Sequence, residues 1–383
     1  MSAPVPLALP SVGAAERAAV GEVLASGWLA QGPRVAAFED ALARVIDAPH
    51  VVATSSGTAA LLLALRVAGV QPGDRVLVPS LTYIATVNAV VAAGAIPVFA
   101  DVDARTLNLD VADAERAIAA EGPVAAVLLV HQLGHPAALG AFRALAKRTG
   151  TLLLEDAACA LGSTIHGRPI GARAPGERGG AALSFHPRKV VTTGEGGALV
   201  TGSAAEADAA RAFRDQGADR GAHERQRLGQ REPEHYAAPG FNLRMSDLEA
   251  AVGLAQLGRL DAMLAARRRL AARYDELLAE VSGIMPFRFE PGIVPNRQSY
   301  AVVVDESIAP EGVCAALAER GIATRRAVMA AHLEPAYRAF ATRPLETTEA
   351  LARRALALPL FPDLTDTDQD RVVAALRAAT RAR

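Results

Sequence analysis

The sequence predicts an α/β protein: a mainly parallel central sheet with helices on both faces, followed by a smaller C-terminal α+β domain. Short apolar runs, "VVAT" (51–54), "RVLVP" (75–79), "IPVFA" (96–100), "VAAVLLV" (124–130) and "TLLLE" (151–155), alternate with helix-like stretches such as "TAALLLALRVAG". Strands that are apolar throughout are buried on both faces, and alternation with helices makes them parallel neighbours. The 383 residues, 51% hydrophobic and 21% charged, are enough for one large and one smaller core. Near residue 205 the pattern changes. A charged, glycine-dotted segment at 215–241 reads as an exposed loop, and a long helical pattern follows from about Ser246 to Val281. "SYAVVVD" (299–305), a helix around 311–320 and a last helix from about Asp366 complete the small domain. The expected division is 1–250 for an N-terminal arm and large domain, and 251–383 for a linking helix and small domain.

The stretch from Val76 to Ala100 carries no charge and is long enough to span a bilayer. Pro79, Gly94 and Pro97 cut it into strand, helix and strand, and Thr82, Tyr83, Thr86 and Asn88 make its middle polar. It reads as a buried βαβ segment. Arg267, Arg268, Arg269 and Arg273 on the long helix read as a solvated face, with Asp261, Asp275 and Glu276 nearby.

Composition excludes several classes of partner. Lys+Arg 40 against Asp+Glu 41 leaves a formal charge of -1, so no broad basic field is available for nucleic acid or an anionic membrane. Cys159 and Cys314 form neither a disulfide framework nor a metal-ligand spacing, and no metal is expected. The opening "MSAPVPLALPS" lacks a charged n-region, so a reducing cytoplasm is the expected setting.

In an open parallel sheet, ligands bind where loops leave the carboxyl ends of the strands. In "TSSGTAALLLAL" a strand ends at Thr54, Gly57 permits close backbone approach and Thr58 opens a helix, whose N-terminus can take a phosphate or be an ordinary Ser/Thr cap. In "LLLEDAACALGS" Glu155 and Asp156 close an apolar strand, where a carboxylate needs a cation unless it caps a helix. In "ALSFHPRKVVTTGEGGALV", Ser184 and His186 flank a turn carrying Lys189, a residue that on most turns is simply solvated. Phosphate-binding hydroxyls, a buried carboxylate and a lysine are what pyridoxal 5'-phosphate (PLP) requires.

The order and wording of seven motifs, "GWLAQGPRVAAFE", "SSGTAAL", "VPSLTYIATVNAV", "EDAACALGS", "SFHPRKVVTTGEGG", "GFNLRMSDLEAAVGLAQL" and "LPLFPDLT", resemble the DegT/DnrJ/EryC1/StrS aminotransferases, over about Gly27 to Leu364. The resemblance implies a fold type I PLP-dependent transferase, active as a cytoplasmic homodimer with shared sites. It makes Lys189 the Schiff-base lysine and Asp156 the partner of the pyridine nitrogen. Gly57, Thr58 and Ser184 would hold the phosphate, Tyr83 would stack on the ring, and Asn242 would reach the phosphate from the second subunit. His186, Arg244 and His332 would lie near donor or sugar. Packing remains the alternative for Tyr83, and a turn for Asn242. Cys159, at a cofactor-facing position, stands where many members have Gln or His, and Leu133 where Tyr is common. The implied reaction is transamination, through the PLP and pyridoxamine (PMP) forms of the cofactor, from glutamate to a keto sugar carried on a nucleotide. Other members act on cyclitols or non-nucleotide ketones, and some run a PLP/PMP-dependent dehydration, but those lack the lysine. A regulatory, DNA-binding role is opposed by the neutral charge and the absence of a helix-turn-helix pattern.

Overall fold

The computed structural model describes residues 3–219 and 235–381. The segment read as an exposed charged loop falls mostly at 220–234, outside the described residues. The first part of the chain runs α1 (Ala14–Ser26), α2 (Pro33–Ile46), β1 (His50–Thr54), α3 (Gly57–Val67), β2 (Arg75–Pro79), α4 (Ala85–Ala92) and β3 (Ile96–Ala100). It continues through α5 (Val111–Glu121), β4 (Ala126–Val130), α6 (Leu139–Thr149), β5 (Leu152–Asp156), a small hairpin of β6 (Thr164–Ile165) and β7 (Arg168–Pro169), β8 (Gly180–Ser184), β9 (Gly197–Thr201) and α7 (Ala204–Arg214).

Seven of these strands form one sheet in the order β1-β9-β8-β5-β4-β2-β3. From β3 to β8 the pairings are parallel, and β9 alone runs against its neighbours β1 and β8. Side chains alternate between the faces of a strand. Val51 and Ala53 enter the core under α2, whereas Val52 joins Leu63, Ala64 and Leu199 on the opposite face. Both faces are buried, which is why the strands read as unbroken apolar runs. Val76 to Ala100 is β2, α4 and β3, as expected, and no described helix is long and apolar enough to cross a membrane.

The second part comprises α8 (Asp247–Leu257), α9 (Leu260–Leu278), β10 (Ile284–Pro286), β11 (Ile293–Val294), β12 (Tyr300–Val304), α10 (Pro310–Ala318), β13 (Arg325–Arg326), α11 (Glu346–Arg354), β14 (Ala355–Leu358) and α12 (Asp366–Arg381). Four strands make an antiparallel sheet, β10-β12-β14-β13. The helix expected from Ser246 to Val281 is two helices. Gly258, a poor helix former, ends the first, and Gln256 and Arg259 on either side turn to Ser11 and to the buried Glu16 near the N-terminus.

The linking helix α9 passes from one core to the other: Leu260, Met263 and Leu264 pack with the large sheet, and Leu270, Tyr274 and Leu278 with the small one. Arg267 lies at the crossing and corrects the solvated-face reading. It is buried, with its guanidinium donating to the carbonyls of Gln298 and Leu360 at 3.2 Å each. Arg268 likewise holds the carbonyls of Pro295 and Gly162, while Arg269 and Arg273 meet Asp366 and Asp370 at the surface. In the N-terminal arm, Val5 sits in the core of the small domain and bridges Ile322.

Candidate active site

After β8 the chain cannot continue as a strand through Pro187, and a tight turn forms in which the Lys189 N–H donates to the His186 carbonyl at 2.8 Å. The Phe185 N–H closes the turn on Gly196. Lys189 is half-buried, and its Nζ donates to Cys159 Sγ at 3.1 Å. Cys159 is fixed in turn, because Asn296 Nδ2, from the segment entering the small domain, donates to its carbonyl at 2.8 Å. Loop 131–135 also closes in here: a Cβ on Gly134, whose φ is +87°, would lie 2.9 Å from that same carbonyl.

Asp156 and Glu155 are adjacent on β5 and therefore face opposite ways. Asp156 Oδ2 accepts from Thr86 Oγ1 at 2.8 Å, and Oδ1 accepts from the Ala158 N–H at 3.2 Å. Thr86 has one hydroxyl proton, so Thr82, 2.7 Å away, must donate to it, giving a chain from Thr82 through Thr86 to Asp156. Tyr83, next to Thr82, is 57% exposed at the mouth of this chain, so the core-packing alternative does not hold for it. Glu155 turns into the protein and meets Arg173 at 2.8 Å and His131 Nε2 at 3.0 Å. Burial alone would push its carboxyl up, but Arg173 and His131 outweigh that and hold it well below the usual carboxylate range. The cation demanded by a buried carboxylate is thus present, but it belongs to Glu155. His131 and Arg173 were not singled out in the sequence, although the need for a cation near "LLLED" was the signal that could have found them.

At the start of α3 the Ser56 hydroxyl accepts from the Ala59 N–H at 3.1 Å. The N–H groups of Gly57 and Thr58 find no acceptor among the described residues. A Cβ on Gly57 would stand 2.7 Å from Ser184 Cβ, and one on Gly197 would stand 2.4 Å from the Ser56 carbonyl oxygen. Glycine at these positions lets the helix end lie directly against the end of β8, bringing Gly57, Thr58 and Ser184 together.

The remaining residues sit further out. His186 is half-buried beside Lys189, and its imidazole pKa is lowered by burial and by Arg188. Asn242 is exposed, and the adjoining Leu243 carbonyl accepts from the Ser55 N–H at 2.8 Å, so this segment runs alongside the approach to α3. Arg244 is paired with Asp215 of its own chain. His332 is buried at the seam between the sheets, with Nδ1 2.6 Å from Ser80 Oγ and its ring near Phe99. Its Nε2 lies 3.5 Å from Glu349 Oε1.

A sheet of this order, reversed only at β9 and carrying a lysine on the turn just before it, is that of a fold type I transferase. Residues 10–377 match the DegT/DnrJ/EryC1/StrS aminotransferase family. The chain belongs to this family and is an aminotransferase. Among solved structures it is similar to DesV from S. venezuelae, at 35% identity over 100% of both chains with a TM-score of 0.88. It is similar to the sugar aminotransferase CalS13 from Micromonospora echinospora, at 30% identity over 98% of this chain and 99% of that one, TM-score 0.86. It is also similar to the PLP-form of Spr1654 from Streptococcus pneumoniae, at 26% identity over 99% of each chain, TM-score 0.88. Aminotransferases of this family are PLP-dependent. The residues present fit that cofactor: the Gly57–Ser184 groove, which a Cβ would fill, the buried Asp156 and Lys189 open on one carboxyl edge of the sheet.

Proposed function

We propose that this aminotransferase moves an amino group from glutamate to the ketone of a nucleotide-linked sugar. The observation that carries the reading is the placement of Lys189, on the β8–β9 turn, and Asp156, at the end of the adjacent strand β5, on the same carboxyl edge of the sheet. The description of CalS13 as a sugar aminotransferase supports the acceptor class.

Bound PLP supplies an electron sink for the pair left when a donor loses its α-proton. Lys189 Nζ would hold the cofactor and, when free, would act as the base that carries the donor's α-proton. Asp156 keeps the pyridine nitrogen protonated, and the Thr82–Thr86 chain orients its carboxylate. Gly57, Thr58 and Ser184 hold the phosphate, with Asn242 reaching it from the partner subunit. Tyr83 and Cys159 would be the side chains that flank the cofactor. His186 and Arg244 line the approach for donor and sugar.

The test is in two parts. Borohydride reduction of the yellow protein should fix the cofactor to Lys189, and glutamate alone should discharge the colour with release of 2-oxoglutarate. Labelling at Lys147 would overturn the site. Colour that persists with glutamate would overturn the donor. A panel of nucleotide-linked and free keto sugars read by mass spectrometry then tests the acceptor, and amination of free ketones only would remove the nucleotide from the proposal.

A further inference from the structure

The chain has two lysines, Lys147 and Lys189, and two cysteines, Cys159 and Cys314. One of each meets in the active site, where Nζ and Sγ are 3.1 Å apart. Both backbones are pinned, Lys189 by the His186 carbonyl and Cys159 by Asn296. Neither side chain is sealed from solvent. Arg325 of the small domain lies within electrostatic reach of Cys159. Reactive cysteines occur in partly exposed, electropositive surroundings of this kind. Cys314 differs: it sits on α10, where burial and Glu311 push its thiol up.

We propose that Cys159 and Lys189 form a reversible oxidation site, at which hydrogen peroxide joins Sγ to Nζ and withdraws the lysine from catalysis. In the first step the sulfur attacks one peroxide oxygen, the O–O bond breaks, and a sulfenic acid and one water form. In the second, the Nζ lone pair attacks that sulfur, the S–O bond breaks, and the hydroxyl leaves as water with a proton from Nζ. Together, one thiol, one amine and one peroxide give one S–N bond and two waters. Sulfur loses two electrons and peroxide gains them. Two equivalents of a thiol reductant restore both side chains and leave as a disulfide.

The inference rests on the proposed function in one respect. Lys189 is free to react only when the cofactor does not hold Nζ, so the aldehyde form protects the pair, and the amino form produced by the donor exposes it. The site would then arrest an enzyme that has accepted nitrogen but found no sugar.

The experiment treats the purified enzyme with hydrogen peroxide in three states: loaded with PLP, loaded and then given glutamate, and stripped of cofactor. Peptide mass spectrometry follows, before and after dithiothreitol. The expected result is a Cys159–Lys189 cross-link two hydrogens lighter than the separate peptides, strong in the second and third states, weak in the first, and lost on reduction. Cys314→Ala should still form it, and Cys159→Ser should not. Oxidation of Cys159 to sulfinic or sulfonic acid with Lys189 unlinked overturns the proposal, as does a protein that peroxide leaves unmodified. Equal cross-linking in all three states would leave the oxidation site standing and remove Lys189 from cofactor binding. No link in the stripped protein, with borohydride still fixing the cofactor to Lys189, would do the reverse.

Discussion

Thr86 Oγ1 donates to Asp156 Oδ2 at 2.8 Å, joining the first turn of α4 to the end of β5 across the carboxyl edge of the sheet. The other carboxylate oxygen is held by a backbone N–H only two residues on, so Asp156 is oriented from two sides.

Asp156→Asn should keep some cofactor and lose about 100-fold or more in turnover, since a neutral amide cannot stabilise the protonated ring nitrogen. An ordinary capping residue would tolerate Asn well. Single-turnover discharge with glutamate measures this directly, and near wild-type rates would return Asp156 to a capping role. Thr86→Val, which removes only the orienting bond, should fall between the two.

Gly57→Ala tests the close approach of α3 to β8. Its Cβ would stand 2.7 Å from Ser184 Cβ, where the phosphate is proposed to sit, so thermal stability should fall whatever alanine adds to the helix. Cofactor affinity should fall roughly tenfold, or about 1.4 kcal/mol. Titration of stripped protein with PLP gives the answer; unchanged affinity would move the phosphate elsewhere.

Stability toward acid should depend on His135. Burial, then Arg297 and His131, lower its pKa to about 4 from 6.5, with Asp103 opposing, and its ring lies tilted by 55° against Phe289, centroids 4.4 Å apart. Above pH 6.5 both folded and unfolded chains leave it neutral, so it contributes no slope. As pH falls from 6.5 toward 4 the unfolded chain takes up a proton that the folded one refuses, and stability drops by up to about 3 kcal/mol. Denaturant midpoints of His135→Phe against wild type should differ in slope across that window and be parallel above it. Parallel curves throughout would refute the assignment.

Asn242 and Arg244 test the shared site. A double mutant, Asn242→Asp with Arg244→Ala, mixed with Lys189→Ala should regain roughly a quarter of wild-type activity under random exchange, because half the dimers are mixed and each has one intact site of two. Exchange proven by mass spectrometry with activity still at zero would confine these residues to their own chain. The Arg244–Asp215 pair within one chain makes that outcome a real contest.

Legible in the sequence were the strands of the large sheet, the central strand of the small one, several of the helices and the turn bearing Lys189, because burial on both faces writes unbroken apolar runs and Pro and Gly punctuate them. The sequence also placed Gly57, Asp156 and Lys189 at the ends of elements, where a parallel sheet gathers its loops. Tertiary structure alone decided which groups meet. Nothing local tells Glu155 from Asp156, yet the alternation of a strand sends one to Arg173 and the other to Thr86. Arg267 reads as surface because its three neighbouring arginines are charged and polar partners lie close in sequence; it is buried because carbonyls 31 and 93 residues away accept its protons. The contact of Lys189 with Cys159 spans 30 residues and exists because β5 and β8 are neighbours in the sheet. Pairing between strands is a long-range free energy, and no residue carries it in its own propensity.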